Sequence, residues 1–425
     1  MTKKFFDKAE KYAKGIFTSS ARNIERICES QHDLDYFQMQ HFITDSNWNG
    51  RAVIDKAAVE TSMVLPNRKL TGLIIDETGV VKKGDKSVGV GWQYCGNVGK
   101  TANSQVAVVA CLSNGDFASM VDARLYLPED WCDNQIRCEQ AGIPEVHRTF
   151  KTKTGLAYDI ILNQIQLGVD FNFIGADGFY GNDTNLADKI NDLGHLYMLD
   201  IHSNQPIFLE KPELVIPPKK GSRGRAPEIS KPDKASVQAD QYCKYLEPKD
   251  WVDIKVRNTA KGKLKGKYHF RTVFVHNKIR NSIEKRLLAI RKIKTKRGEE
   301  IKYSFTNADL VQHTEKAIVY MQAQRYFVEH CIKESKKILG MSQFQTRKWQ
   351  AWQHQIAINI MVSCFLLKEK LFCFDDLPLL SAADIKEWIW FRLFQSRTDE
   401  EMIEIMFVRH LQRQNDINRY YKNEF

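Results

Sequence analysis

The sequence predicts an α/β protein: a mixed sheet with flanking helices, interrupted by a basic β-rich insertion and preceded by a helical N-terminal region. Three observations predict it. Candidate elements follow the order β-β-β-α-β-α-β, then an insertion, then α. Two apolar stretches, "LIID" at 73–76 and "FIGAD" at 173–177, each run straight into a carboxylate. The positive charge sits in one block. Residues 219–302 hold 25 Lys and Arg against 9 Asp and Glu, a surplus of sixteen, whereas the whole chain carries +11, so the remainder is net negative by five.

Residues 1–66 read as helical, because "NIERICESQH" and "DYFQMQHFITDSNW" repeat apolar residues at helical spacing, and Asn49 is placed to cap "GRAVIDKAAVETSMV". Small helices there suit a DNA-binding or dimerising module and suit an ordinary packing subdomain equally well. Strands are expected at Leu70–Asp76, Ser87–Tyr94 and Gln105–Leu112, joined by short polar turns as an antiparallel meander. A loop region containing "RLYLPEDW" leads to a helix over 154–167, then the strand ending at Asp177, the helix "TNLADKINDLG" and the strand "LYMLDI". Residues 67–202 thus form the first part of a central domain and residues 203–305 the insertion. Residues 306–375 return helices to that domain, and 376–425 form an amphipathic C-terminal helical region closing on "RHLQRQNDINRYYKN". Within the insertion, 217–236 reads as a basic linker. Beyond Trp251, "DWVDIKVRN", "YHFRTVFVH" and "RLLAIRK" alternate β-formers between turns and predict a folded, basic, antiparallel unit.

At 43% hydrophobic and 27% charged, the chain has the composition of globular domains, and 425 residues allow about two or three of them. The longest apolar run, "IAINIMVSCFLL" at 356–367, is too short to span a membrane, and the charged N-terminus lacks the apolar core of a signal peptide. Nine cysteines are scattered, and the nearest pair, Cys132 and Cys138, fits no zinc template. The expectation is an intracellular, soluble protein with free thiols and no structural zinc. The concentrated basic block points to a polyanion partner.

A carboxylate beside a core is costly unless it is paired, hydrogen-bonded or bound to a metal. The plain reading of Asp76 and Glu77 is a hairpin edge with two solvated acids. A second acid at the end of a later strand changes the weighing. If the fourth strand lies beside the first, Asp76 and Asp177 meet at one sheet edge, as a divalent-cation site requires. Glu77, on the opposite strand face, is then structural.

These stretches, with the strand order and a long helix over 313–338, resemble the DDE transposases of bacterial insertion sequences, which have a ribonuclease-H-like core. The match is to the family numbered 701, related to the group with the Tyr-Arg-Glu-Lys signature. It is carried by "QMQHFITDSNWN", "IIDETGVVKKGDKSVGVGWQYCGNVGKTANSQVAV", "GADGFYG", "EIKYSFTNA", "QRYFVEHCIKESKKILGM" and "RKWQAWQHQIAI". The resemblance implies three acids holding two metal ions, Mg²⁺ or Mn²⁺: Asp76, Asp177 and Glu329. The third belongs to the pattern Arg, three residues, Glu, six residues, Lys, here Arg325, Glu329 and Lys336. Offsets of four and seven put all three on one helix face, although Arg325 and Glu329 also suit a surface ion pair. The signature's tyrosine is replaced by Gln322.

The activity that the resemblance implies is phosphodiester hydrolysis at element ends and strand transfer into target DNA. Arg325 and Lys336 would grip phosphates. The insertion would hold the DNA end through Trp251, as a stacking aromatic, and through Lys261, Lys263, Lys265 and Lys267. Double-stranded DNA, as terminal inverted repeats and target, would be the partner of a homodimer in the bacterial cytoplasm, at the nucleoid and without a membrane. Two other readings are a transposase-derived DNA-binding protein that no longer catalyses and a ribonuclease-H-like nuclease without strand transfer. The three intact acids favour the active enzyme over the first, and the size of the insertion argues against the second.

Overall fold

The computed structural model describes residues 3–29, 34–66, 70–218, 227–259, 262–295, 298–378 and 380–394, with isolated positions from 399 to 418. The chain forms two compact units, Met1–Phe171 with Tyr326–Phe425, and Asn172–Arg325.

The first unit opens with helices α1 (Lys3–Thr18), α2 (Ile24–Glu29), α3 (Tyr36–Thr44) and α4 (Gly50–Val64). Asp35 and Asn49 cap α3 and α4 by accepting the backbone N–H groups of Gln38 and Ala52, satisfying donors that a first turn leaves open. Four strands follow: β1 (Gly72–Val81), β2 (Val90–Cys95), β3 (Lys100–Asn114) and β4 (Phe117–Leu125). They do not form the expected meander. β3 is 15 residues long and serves as the spine. β1 pairs along one edge of it. The other edge is shared end to end, by β2 over residues 100–105 and by β4 over 107–114. Gly115, at φ +65°, turns the chain straight back into β4, where the sequence suggested a loop region. The signal of β4 is broken by Asp122, which is fully buried where alternation calls for a polar residue outside. Its carboxylate takes hydrogen bonds from Arg51, Arg124 and Gln164.

β1 also outruns its prediction. Pairing with β3 continues past the carboxylates to Val81, so Asp76 sits in mid-strand, opposite Val109, rather than at a strand end. After β4 come α5 (Glu129–Cys132), α6 (Gln135–Gln140) and α7 (Lys153–Gln166).

The second unit carries β5 (Phe173–Ala176), α8 (Gly178–Gly181), α9 (Thr184–Asp192) and β6 (Leu196–Ile201). Short strands β7 (Pro206–Ile207), β8 (Leu214–Val215), β9 (Lys231–Pro232) and β10 (Val237–Gln238) pair as β7 with β10 and β8 with β9. They flank residues 219–226 of the expected linker, which lie outside the described residues. Helix α10 (Ala239–Lys244) precedes the long antiparallel strands β11 (Val252–Thr259), β12 (Gly262–Asn277), β13 (Ser282–Thr295) and β14 (Gly298–Thr306). The strand order is β11-β12-β13-β14-β6-β5. β5 and β6 are parallel, joined through α8 and α9, and the other neighbours are antiparallel. The sheet is therefore mixed, as predicted.

Helix α11 (Glu315–Lys337) gives its first half to the second unit and its second half to the first. The first unit ends with α12 (Trp349–Phe372) and α13 (Ala382–Phe394). α12 is apolar on nearly every side, and a helix of that kind must be buried. Its His354 ring stacks on Trp48 at 3.8 Å between centroids, and its two ring nitrogens lie 2.9 and 2.7 Å from the carbonyls of Ile43 and Trp48. The expected helix over "RHLQRQNDINRYYKN" falls largely outside the described residues. Among the described residues no helix is long and apolar enough to cross a membrane, and all nine cysteines are free thiols.

Not all of the basic block faces solvent. Arg286 of β13 is 1% exposed and donates to the Asp188 carboxylate of α9 and to the Thr184 carbonyl. Asn277 donates to the other Asp188 oxygen. Burial still holds the Asp188 carboxyl above its usual range, with Arg286 acting against that shift. Removing one partner of a buried pair leaves the other charge uncompensated. Arg286→Ala should therefore cost about 3–5 kcal/mol in urea unfolding, and a loss below about 1 kcal/mol would show the pair to be dispensable.

Candidate active site

Asp76 is half-buried on β1, after the fully buried Leu73, Ile74 and Ile75. One of its oxygens accepts the backbone N–H of Glu77 at 2.7 Å. Strand alternation sends Glu77 to the other face, where it pairs with Lys153 of α7 at 2.9 Å. Glu77 is thus held structurally, as expected. The face that bears Asp76 also bears Ile74 and its cross-strand partner Cys111. The Cys111 thiol hydrogen-bonds Cys331 of α11, and burial, Cys331 and Asp76 together push its pKa up. The same helix sends Lys336 to the Gly79 carbonyl of β1, at 3.0 Å. Burial lowers the Lys336 pKa, while Cys95 and Asp76 act to raise it. Two contacts, from Cys331 and Lys336, therefore lay the second half of α11 along the β1–β3 pair, and that half carries the exposed Glu329.

Asp177 follows β5 and caps α8, accepting the Phe179 N–H at 3.0 Å. The parallel register pairs Ala176 with Leu199, so the next residues along, Asp177 and Asp200, are neighbours at the carboxyl end of β5 and β6. A Cβ on Gly181 would stand 1.8 Å from the Asp200 carbonyl oxygen. The glycine of "DGFYG" is therefore needed for α8 to lie against β6. Arg325, expected to meet phosphate or Glu329, donates from Nε to Asp200 Oδ2 at 2.9 Å. Gln322, standing in the tyrosine position, is 5% exposed and donates to Ser304 Oγ at 2.8 Å. Ser304 in turn donates to Asp200 Oδ1 at 2.6 Å.

The insertion presents one exposed basic face. Cross-strand pairs Lys255 with Lys265, Asp253 with Lys267, and Lys267 with Lys292 point to the same side of β11–β13. Trp251 is half-buried on that side, with the Lys292 ammonium 5.0 Å from its ring centroid and the His269 ring at 6.2 Å. His269 is itself held between the Tyr242 hydroxyl and the Asp250 carbonyl. The opposite side buries Ile254 and Tyr268 against Val319 of α11. Lys261 lies outside the described residues, as does the side chain of Lys263.

The profile of the family described as DDE superfamily endonuclease matches residues 6–263, more than half of the chain. The chain belongs to the DDE superfamily endonucleases. It is also 34% identical, over 170 residues, to a probable transposase for insertion sequence element IS701 from Microchaete diplosiphon. That alignment covers 39% of this chain and 40% of the relative. The mixed sheet with its flanking helices is the ribonuclease-H-like α/β fold of such enzymes, which use divalent metals.

The residues fit such an ion by donor chemistry. Asp76, Asp177 and Glu329 offer the hard carboxylate oxygens that Mg²⁺ and Mn²⁺ take, and a backbone N–H orients each aspartate. Asp76 and Glu329 belong to the first unit and Asp177 to the second. Among the described residues no three His, Cys, Asp or Glu side chains stand close enough to hold a metal ion. Asp200 was missed from sequence. Its signal is the pattern that marks the other two aspartates, an apolar strand ending in an acid, in "LYMLDI".

The glycines of the two aspartate motifs can be tested by what opposes a Cβ. At Gly79 it would meet the Cys95 sulfur at 2.6 Å, a side chain that can be shortened. At Gly181 it meets backbone. Gly79→Ala should cost about 1–3 kcal/mol in thermal unfolding, and adding Cys95→Ala should recover most of it. Gly181→Ala should lose at least as much and gain nothing from trimming neighbouring side chains. An unchanged melting temperature for Gly181→Ala would contradict the close approach of α8 to β6.

Proposed function

We propose that the protein is a transposase that cuts DNA strands at insertion-sequence ends and joins the released 3′ ends to target DNA by cut-and-paste. The observation that carries this reading is membership of the DDE endonucleases in a chain that keeps all three acids. The similarity to an insertion-sequence transposase supports it.

Asp76, Asp177 and Glu329 would hold two Mg²⁺ or Mn²⁺ ions. Such ions would supply activation of a water or a 3′-hydroxyl and neutralise charge on the oxygens around phosphorus. The protein's own part is placement. Lys336, anchored on β1 beside Asp76, and Arg325, one turn before Glu329, seat the phosphate of the scissile strand. Phosphate contacts position the strand without reading its sequence. The insertion face, with Trp251, Lys265 and Lys267, holds the terminal duplex, and Lys261 and Lys263, read from the sequence alone, add to its positive charge. Two copies of the chain, each bound to one inverted repeat, would bring both element ends to the target within the nucleoid.

Asp76→Ala, Asp177→Ala and Glu329→Ala should each reduce Mg²⁺- or Mn²⁺-dependent cleavage of an oligonucleotide carrying the element end by about a thousandfold or more, as loss of a metal-held charge would. Binding of that oligonucleotide should persist or tighten, since a charge that repels phosphate is removed. Wild-type cleavage by Asp177→Ala would overturn the assignment.

A further inference from the structure

Arg325 reaches from its helix to a carboxylate on β6. Its Nε donates to Asp200 Oδ2 at 2.9 Å, and both side chains are mostly buried, at 19% and 14% exposure. Asp200 Oδ1 takes the hydroxyl proton of Ser304, which stands directly opposite it on β14. Ser304 is fully buried and has one proton to give, so its oxygen is left to accept, and Gln322 Nε2 fills that role at 2.8 Å. Gln322 lies three residues before Arg325 on α11. The chain of contacts therefore leaves the helix at Gln322, crosses β14 and β6, and returns to the helix at Arg325. Each donor meets one acceptor along it, and a linked, buried network of this kind fixes side-chain orientation.

We propose that Asp200 is a positioning residue that sets the plane of the Arg325 guanidinium for phosphate, with Ser304 and Gln322 holding the carboxylate in turn. This rests on the reading of Arg325 as a phosphate contact. A guanidinium anchored through Nε keeps its two terminal amino groups in a fixed fork, the geometry that favours arginine over lysine at a phosphate. Asp200 is also the residue next to Asp177 across the parallel pair. The same strand edge thus supplies one acid proposed for metal and one for arginine. Gln322 gains a role as well. At the signature's tyrosine position this chain uses an inward amide that supports the arginine from behind.

The test is a double-mutant cycle on cleavage of a double-stranded oligonucleotide carrying the element's terminal repeat, with Mg²⁺. Asp200→Asn keeps size and an acceptor but removes the charge. It should slow cleavage about tenfold, and it should slow Arg325→Ala no further, because the two act as one unit. Ser304→Ala leaves both charges in place. It should give a smaller loss that likewise vanishes in the Arg325→Ala background, so the proposal stays testable if Asp200→Asn folds poorly. Losses that multiply in the double variants would mean that Asp200 serves folding only, and would overturn the proposal. Wild-type cleavage by Asp200→Asn beside a slow Arg325→Ala would also overturn it while sparing the phosphate reading. Wild-type cleavage by Arg325→Ala would remove the phosphate reading itself, and this proposal with it.

Discussion

An ionised carboxylate costs several kcal/mol to bury without a partner, and this chain brings acids to half-buried positions three times from apolar strands. Asp76 follows Leu73, Ile74 and Ile75, Asp177 follows β5, and Asp200 lies near the end of β6. Each needs a local donor, and each local donor fixes something else. The N–H of Glu77 orients Asp76, and Lys336 lies close enough to feel its charge while clamping α11 to Gly79. The N–H of Phe179 makes Asp177 the start of α8. Arg325 and Ser304 divide the two oxygens of Asp200 between them. Asp177 thus starts α8, while Lys336 near Asp76 and Arg325 on Asp200 tie the two halves of α11 to β1 and β6.

Those acids do not call for the same kind of partner. Asp188 and Asp122 are taken up wholly by protein donors, with Arg286 and Asn277 around one and Arg51, Arg124 and Gln164 around the other. They are structural, and they sit deep. Asp76 and Asp177 are half-buried and Glu329 is exposed. The insertion likewise has two unlike faces. One side of β11–β13 packs against α11, and the other presents lysines and Trp251.

Much of this was legible in the sequence because the signals were local and periodic. The buried part of β1, strands β5 and β6, and helices α11 and α12 follow from apolar runs of the right length and period. The antiparallel insertion follows from alternation between glycine turns. What escaped detection depended on pairing at a distance. Nothing in residues 70–81 announces that β3 will be long enough to carry β1 through Asp76 to Val81. β4 was hidden by Asp122, whose polarity reads as loop until three donors from distant elements arrive. Arg286 was one charge among the 25 of the basic block, because its partner, Asp188, lies 98 residues earlier. The acids of the candidate site were visible through the resemblance. The Asp200 network was not, since the acid at the end of "LYMLDI" gives no sign of Gln322 and Ser304, which only the fold brings to it.

The central proposal is that Asp76 and Asp177 each serve as a ligand of a divalent metal. Its most direct test is Mn²⁺ uptake by the full chain bound to element-end DNA, followed by electron paramagnetic resonance. The account predicts tight Mn²⁺ binding by the wild type and loss of the bound signal in both Asp76→Asn and Asp177→Asn, with melting temperatures close to that of the wild type. An undiminished Mn²⁺ signal in either variant would contradict it.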